Sequence, residues 1–281
     1  MISYHHLTLA TSTTMTLPMA SSSKPRRVII GVLALQGAFI EHIHYLERLR
    51  IPNTVIRAIP IRTADQLESC EALIIPGGES TVIQSVAERT EGLLPILLDF
   101  VRNPQRAVWG TCAGMILMAE EDGIGGGKVI KGRPPQKGWG GIEGLKVWRN
   151  LYGTQLESFE AHMEIPALSQ PTKPFNCIFI RAPAVHSLQP KSTSVADLTQ
   201  DLHHTIAPTE TSTTIEVLAT LPSECTPPPP PQDSHLGPSN HEDLGKVMIR
   251  QGSKLVTSFH PELSGDTRIH QYWVEKCVLG M

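Results

Sequence analysis

The sequence predicts an α/β fold: a mainly parallel sheet with helices on both faces and antiparallel additions. In the first half of the chain, apolar stretches alternate with segments of helical periodicity, as expected of strand–helix units in a parallel sheet. The second half contains shorter strand-like stretches, which indicate the antiparallel additions. A glycine-flanked cysteine lies where a buried strand gives way to a helix, and strand ends are where α/β proteins carry their chemistry.

The first half begins with an apolar strand at 28–35, followed by a helical stripe of apolar residues at 39, 43, 46 and 49. Its other predicted elements are strands near 55 and at 73–75, helices after 62 and 81, a helix at 93–101 and a strand at 107–109. In the second half, strands are predicted at 142–148, 158–164, 177–180, 215–219, 246–250 and 254–258, and a final helix at about 267–278.

Cys112 is the first candidate catalytic residue. It lies between the apolar strand 107–109 and the hydrophobic helical stretch 115–119, with Gly110 and Gly114 on either side. Unpaired N–H groups and the helix dipole favour a thiolate at a helix N-terminus. The glycines permit a sharp bend and a close approach by a substrate. The pattern predicts a nucleophile on a strand–turn–helix elbow, with a buried structural cysteine as the alternative.

A matching base is predicted in the C-terminal third, at His260. A cysteine nucleophile needs a histidine to take its proton, and that histidine needs a carboxylate to fix its tautomer. In an extended segment, residues two apart project to one face, so Glu262 is expected beside His260, with Pro261 stiffening the link. The chain contains 12 histidines, so the pair of His260 and Glu262 indicates a catalytic site only in combination with Cys112.

A third stretch supplies glycines at another strand end. Gly77 and Gly78, followed by Glu79, Ser80 and Thr81, come after the buried strand 72–76 and precede a helix. Two glycines at such a turn free backbone N–H groups to bind an oxyanion. A plain turn in which Ser80 or Thr81 caps the helix is the alternative, and both interpretations can hold together.

These three stretches resemble the class I, triad-type glutamine amidotransferases, which hydrolyse glutamine. Further motifs resemble the branch of glutaminase subunits that serve pyridoxal 5′-phosphate synthases. They are residues 31–37 with Glu41 and His42, 76–81, Arg149 with Asn150, 158–160, 179–183 and 258–263. The likeness runs from about residue 28 to residue 277, and it implies a flavodoxin-like, three-layer fold.

The resemblance implies a role for each matching residue of the reaction centre. Cys112 is implied to be the nucleophile, His260 the general base and Glu262 its orienting partner. Backbone N–H groups of Gly78 and Ala113 are implied to bind the oxyanion. No cofactor and no metal are implied.

The implied glutamine-binding residues are Gly78, Glu79, Ser80, Arg149, Ile180 and Arg181. A guanidinium suits the α-carboxylate of a free amino acid, because it offers two parallel hydrogen bonds. For Arg149 and Arg181, solvation at the surface is the alternative. One residue departs from the branch: Thr154 stands where an arginine is usual, which puts that arginine's contacts in doubt.

Composition limits the classes of partner. The chain has 281 residues, 40% hydrophobic and 18% charged, as expected of a globular protein that buries a sizeable core. A formal net charge of −3 gives no reason to expect binding to nucleic acid or to an anionic membrane. Five cysteines without paired spacing indicate reduced thiols, and we expect a cytoplasmic protein.

Residues 1–26 are expected to form a disordered tail, and 27–281 a glutaminase domain with inserted loops near 122–138, 187–214 and 222–243. The tail is rich in Ser and Thr without acidic residues, so an organellar transit peptide or a later start at Met15 or Met19 are alternatives. The glycines at 125–127 lack the spacing of a phosphate loop. The proline run 227–231 predicts a solvated, polyproline-like segment.

The sequence therefore predicts a glutaminase that makes glutamate and ammonia from L-glutamine and passes the ammonia to a pyridoxal 5′-phosphate synthase subunit. Two alternatives stay open. One is the glutaminase of another pathway, such as that of imidazole-glycerol-phosphate synthase. The other is a catalytically silent subunit that only binds the synthase.

Overall fold

The computed structural model describes residues 24–127, 135–152, 158–189, 214–232 and 235–281. Its strands are β1 (Arg26–Leu33), β2 (Thr54–Ile61), β3 (Ala72–Ile75), β4 (Ala107–Thr111), β5 (Ile124–Gly125), β6 (Leu145–Trp148), β7 (Phe159–Met163), β8 (Phe175–Phe179), β9 (Ala184–Leu188), β10 (Ile215–Thr220), β11 (Lys246–Gln251) and β12 (Lys254–Thr257). Its α-helices are α1 (Phe39–Arg48), α2 (Ala64–Glu68), α3 (Ser80–Arg89), α4 (Leu93–Arg102), α5 (Ala113–Leu117) and α6 (Arg268–Trp273).

A seven-stranded sheet in the order β10-β11-β12-β4-β3-β1-β2 forms the centre. The strands from β12 to β2 run parallel, whereas β11 and β10 add antiparallel strands at one edge. A three-stranded sheet β5-β6-β9 and the hairpin β7-β8 complete the strands. The predicted fold class, a mainly parallel sheet with antiparallel additions, is confirmed.

The central strands are apolar because the sheet is covered on both faces. Every residue of β3 and β4 is buried, as expected for parallel strands between two layers of helices. On one face, Ile43 of α1 and Trp273 of α6 join a common apolar cluster. On the other face, Leu67 of α2 and Leu97 of α4 join a second cluster, together with α3 and α5. Between these layers, the carboxyl ends of β3, β4 and β12 lie side by side at one edge of the central sheet.

Four elements differ from the sequence prediction. The final helix ends at Trp273 and continues as a π-helical segment, Val274–Val278. Strand β6 begins at Leu145 rather than at 142, because Gly144 has φ +73°, which interrupts an extended run. Strands β5 and β9 were not predicted. Strand β5 lies inside the expected insertion near 122–138, and the last two residues of β9 overlap the expected insertion near 187–214.

The segment 222–243 is packed at its C-terminal end, so the expectation of a solvated insertion is wrong there. Asp243 is buried, and its carboxylate accepts hydrogen bonds from the backbone N–H of Leu188 and the side chain of Asn240 and pairs with Lys246. Leu236 is also buried. The carboxylate anchors this end because a buried charge must be paired and hydrogen-bonded.

Several sequence predictions fall outside the described residues: positions 1–23 of the tail, 128–134, Thr154 and 190–213. The domain boundaries and insertions therefore stay predictions. In the part of the chain that the structure describes, no helix is both long and apolar enough to cross a membrane.

Candidate active site

The carboxyl ends of β3, β4 and β12 meet at one edge of the central sheet. Strand β4 lies between the other two, with Gly110 opposite Ile75 of β3 and Thr111 opposite Thr257 of β12. The glycine turn follows β3, Cys112 follows β4, and His260 follows β12. Parallel pairing therefore brings together three stretches that are far apart in the sequence.

Cys112 occupies a strained elbow between β4 and α5. Its backbone has φ +48° and ψ −102°, and its N–H donates to Thr257 O at 2.8 Å. The turn requires glycine beside it, because a Cβ on Gly114 would lie 2.0 Å from Ile75 O. Such strain is typical of a nucleophile elbow, which presents the side chain at the top of the sheet.

His260 and Glu262 contact each other through a turn rather than along an extended segment. Strand β12 ends at Thr257, and residues Pro261–Leu263 form a 3₁₀ turn with proline at its first position. His260 Nδ1 lies 2.8 Å from Glu262 Oε1, and the His260 N–H donates to Ile178 O. The two side chains are adjacent, but the extended geometry expected from the sequence is wrong because proline begins a helical turn.

The environment favours a charged His260 beside a charged Glu262. Burial alone would lower the pKa of His260, but its interactions with Cys112 and Glu262 raise that pKa to about 10. Burial alone would raise the pKa of Glu262, but His42 and His260 bring it below the usual range. We call Cys112, His260 and Glu262 the Cys–His–Glu row. At neutral pH its imidazole is held as an imidazolium against the carboxylate.

The glycine turn packs directly on this row. A Cβ on Gly77 would lie 2.3 Å from His260 Cε1, so only glycine fits. Gly77 O accepts a hydrogen bond from Ala38 N at 3.1 Å, and Gln36 Oε1 accepts one from Glu79 N at 2.7 Å. Because a carbonyl and the next N–H point in opposite directions, the Gly78 N–H points away from Ala38.

Ser80 does not cap helix α3, so that alternative is wrong. The N-cap residue is Glu79, without a side-chain cap, and Ser80 Oγ donates to Gln136 Oε1 at 3.1 Å. Arg149 Nη1 donates to the same Gln136 oxygen at 3.0 Å, and its Nε and Nη2 donate to Gly126 O. Gln136 thus links two predicted substrate-binding residues.

Arg181 and Ile180 border the site from the end of β8. Arg181 has φ +46°, and its guanidinium pairs with Glu79 at 3.1 Å, with both side chains more than 40% exposed. The carbonyl of Ile180 lies 3.9 Å from Cys112 Sγ. Arg149 is less exposed than this pair, and burial lowers its pKa. The structure therefore gathers every predicted site residue at one sheet edge.

A profile described as the SNO glutamine amidotransferase family matches residues 32–212. The chain belongs to the SNO glutamine amidotransferase family. A relative from Arabidopsis thaliana, "Probable pyridoxal 5'-phosphate synthase subunit PDX2", is 37% identical over 88% of this chain and 84% of its own. "Pyridoxal 5'-phosphate synthase subunit SNO1" from Saccharomyces cerevisiae is 32% identical over 89% of this chain and 93% of its own.

A bacterial relative and a solved structure of a relative support the same family assignment for this SNO family member. "Pyridoxal 5'-phosphate synthase subunit PdxT" from Moorella thermoacetica is 35% identical over 88% of this chain and 97% of its own. A solved structure titled "Crystal structure of glutamine amidotransferase" superposes with a TM-score of 0.60. It is 34% identical and covers 90% of this chain and 99% of its own. The family resemblance found in the sequence is thereby confirmed.

Three residues of this SNO family member border the site without a role predicted from the sequence. Gln36 and His42 lie in motifs that carried the resemblance, so the signal was present but the contact was not foreseeable. Gln136 lies in the stretch 122–138, which the sequence predicts to be an inserted loop, and no local signal distinguished it. The roles of the predicted site residues stay proposals.

Proposed function

We propose that the chain is a glutamine amidohydrolase, the glutaminase subunit of a pyridoxal 5′-phosphate synthase. The observation that carries this proposal is the buried Cys–His–Glu row at the ends of neighbouring parallel strands. Membership of the SNO glutamine amidotransferase family and the names of the relatives support the same function.

The row can hydrolyse an amide through a thioester. Cys112 Sγ, its proton held by His260, attacks the carboxamide carbon of glutamine, and N–H groups of Gly78 and Ala113 stabilise the oxyanion. His260 returns the proton to the leaving nitrogen, so ammonia departs and a glutamyl thioester remains. Water, deprotonated by His260, then adds to the thioester, and glutamate leaves as the thiolate re-forms. Glu262 orients the imidazole throughout.

The surrounding residues suit a free amino acid. Arg149 is partly buried and retains N–H groups beyond the three that Gly126 and Gln136 accept, so it can bind the α-carboxylate. Ile180 O lies 3.9 Å from Cys112 Sγ, Ser80 is linked to Arg149 through Gln136, and Arg181 pairs with Glu79. We assign these residues to the glutamine pocket.

Ammonia is useful as a nucleophile only if it reaches the synthase unprotonated, so hydrolysis should depend on docking. The Gly77–Gly78 peptide can turn over at low steric cost, placing the Gly78 N–H in or out of the oxyanion position. Turning it over breaks the hydrogen bond between Ala38 N and Gly77 O. We propose that docking to the synthase subunit fixes the orientation of the Gly77–Gly78 peptide.

We also propose that the protein works in the cytoplasm, where all five thiols stay reduced.

The test is glutamine hydrolysis by the purified chain, alone and with a pyridoxal 5′-phosphate synthase partner subunit. We expect low activity alone and a stimulation of about 10²- to 10³-fold in the complex, the worth of one oxyanion donor. By reciprocal linkage, glutamine should tighten docking. Cys112→Ala serves as the control for contaminating glutaminase.

The outcomes separate the alternatives. Binding to the synthase without hydrolysis would support the silent subunit. Hydrolysis stimulated by the cyclase of imidazole-glycerol-phosphate synthase instead would assign the chain to another pathway. Full activity without any partner would contradict the gating by docking while leaving the glutaminase intact.

A further inference from the structure

Two buried histidines lie behind the Cys–His–Glu row, on the side away from the thiol. His42 of α1 and His270 of α6 are both completely buried on the same face of the sheet. Burying imidazoles in an apolar layer is unfavourable unless their nitrogens find partners. Nothing in the hydrolysis described above uses them, although His42 belongs to one of the motifs that carried the family resemblance.

The two imidazoles extend the row in a continuous file. His42 Nδ1 lies 2.9 Å from His270 Nε2, and His42 Nε2 faces Glu262 Oε2 at 3.4 Å and Thr111 Oγ1 at 3.3 Å. His260 occupies the other carboxylate oxygen, Oε1. The carboxylate therefore lies between two histidines, one for each oxygen.

The position of each proton follows from the partners. Burial lowers the pKa of both His42 and His270 to about 3, so both rings are neutral at physiological pH. His270 Nδ1 has no hydrogen-bonding partner within the described ranges, and a bare acceptor there is less unfavourable than a buried N–H. His270 therefore carries its proton on Nε2 and donates to His42 Nδ1. His42 is left with its proton on Nε2, which faces Glu262.

We propose that His42 is a positioning residue, whose Nε2–H holds Oε2 of Glu262 so that Oε1 stays on His260. His270 fixes the tautomer that makes this possible. The rings cannot turn freely, because Trp109 packs edge-on against both and Tyr45 lies 4.8 Å from His270. In this structure Glu262 Oε2 accepts no hydrogen bond from the described residues, and His42 Nε2 hydrogen-bonds instead with Thr111 Oγ1 at 3.3 Å. We expect the 3.4 Å contact between His42 Nε2 and Glu262 Oε2 to tighten once substrate binds, as catalytic contacts commonly do.

The inference rests on the proposed glutaminase function, so the test uses the complex with the synthase after wild-type hydrolysis has been established. In His42→Leu the donor is lost, and we expect kcat to fall about 10- to 100-fold with KM changed less than 2-fold. In His42→Gln the amide nitrogen can take the place of Nε2, and most of kcat should return. Ile43→Ala, one position along the same helix, opens a cavity without touching the file and controls for lost stability.

The comparison between the three variants decides the matter. If His42→Leu and Ile43→Ala lower kcat equally at matched loss of thermal stability, His42 is only a structural residue and the inference is overturned. The same holds if His42→Gln is as slow as His42→Leu while both remain folded. If the wild-type protein shows no hydrolysis with the synthase, the proposed glutaminase function is wrong. That result differs from both variant comparisons, which require an active wild-type protein.

Discussion

The Cys–His–Glu row and the edge of the glutamine pocket are built differently, although they meet at one site. In the row, every residue is less than 10% exposed and follows the end of a central strand. At the pocket edge, Glu79 and Arg181 form an exposed ion pair, and Arg149 is held by loop residues. The groups proposed to react are thus fixed by the core, whereas Glu79, Arg149 and Arg181, which are proposed to select glutamine, lie outside the central strands.

The largest effect is expected from removing the proposed nucleophile. Cys112→Ala should lower hydrolysis by about four to six powers of ten, because the row acts as a unit, and should leave the fold and synthase binding intact. A glutamine-like electrophile should label Cys112 alone among the five thiols, which peptide mass mapping would show. Burial raises the pKa of Cys177 and Cys277, which disfavours their thiolates. Labelling at Cys177 would mean that the nucleophile is misassigned.

Gly37→Ala tests whether the core also fixes the oxyanion turn. Gly37 has φ +98°, and a Cβ there would lie 1.9 Å from Gly77 O. The displaced peptide should cost at least about 10²-fold in kcat/KM. Gly265→Ala is the matched control, since Gly265 has φ +77° with no atom within 4 Å of the added Cβ. Equal activity in the two variants would show that the turn tolerates movement.

At the pocket edge, the two arginines should behave differently. Arg149→Ala should raise KM by an amount equivalent to about 2–5 kcal/mol, because a partly buried carboxylate partner is lost. Arg181→Ala removes an exposed ion pair with Glu79 and should change binding by less than about 1 kcal/mol. Steady-state kinetics of the complex would measure both. Similar changes in KM for the two variants would contradict the expected difference between the partly buried Arg149 and the exposed Arg181.

The pH dependence of stability tests the charge state of the row. The folded pKa of His260, about 10, lies above its unfolded value near 6.5. Its stabilisation is therefore complete below pH 6.5 and is lost as the pH rises through 10, an effect of about 4–5 kcal/mol. Urea unfolding of wild type and His260→Gln at pH 6 and pH 10 should show this loss in wild type alone. Parallel curves would mean that His260 is neutral.

The smallest expected effects are on stability, in the segment 222–243. This segment also contains one buried charged residue and one exposed charged residue that can be compared. Asp243→Ala should destabilise the fold by about 1–3 kcal/mol, since it leaves buried donors without their acceptor. Glu224→Ala, at the exposed start of the segment, should cost less than about 0.5 kcal/mol. Thermal melts of the two variants would measure the difference. A neutral Asp243→Ala would restore the view that the whole segment is an inert insertion.

The row could be predicted because its signals are local: a cysteine between glycines, a histidine two residues before a glutamate, and a glycine pair after an apolar strand. Parallel pairing of the strands is then enough to bring the residues of all three signals to the same edge of the sheet. Gln136 and His42 could not be assigned in this way, because their partners are distant in sequence. Ser80 is 56 residues from Gln136, and His270 is 228 residues from His42. Long-range packing, rather than a local motif, determines such contacts.

The turn at Pro261 and the π-helical end show a second limit. The sequence placed His260 and Glu262 together, but the extended geometry it assumed was replaced by a 3₁₀ turn. Alternation in a short stretch cannot distinguish the two, since both bring a residue two positions on within reach. The final helix likewise kept its predicted span while its last residues took a wider hydrogen-bonding pattern.

The order of the row along the chain affects how the protein is made. His260 is 148 residues downstream of Cys112, so at typical rates of translation the proposed base leaves the ribosome roughly 7 to 30 s after the proposed nucleophile. During that interval the nascent chain carries a cysteine without a proton acceptor. Strand β12 must then insert beside β4, and α6 must dock against α1. The arrangement proposed to activate Cys112 therefore forms only after β12 and α6 have been synthesised.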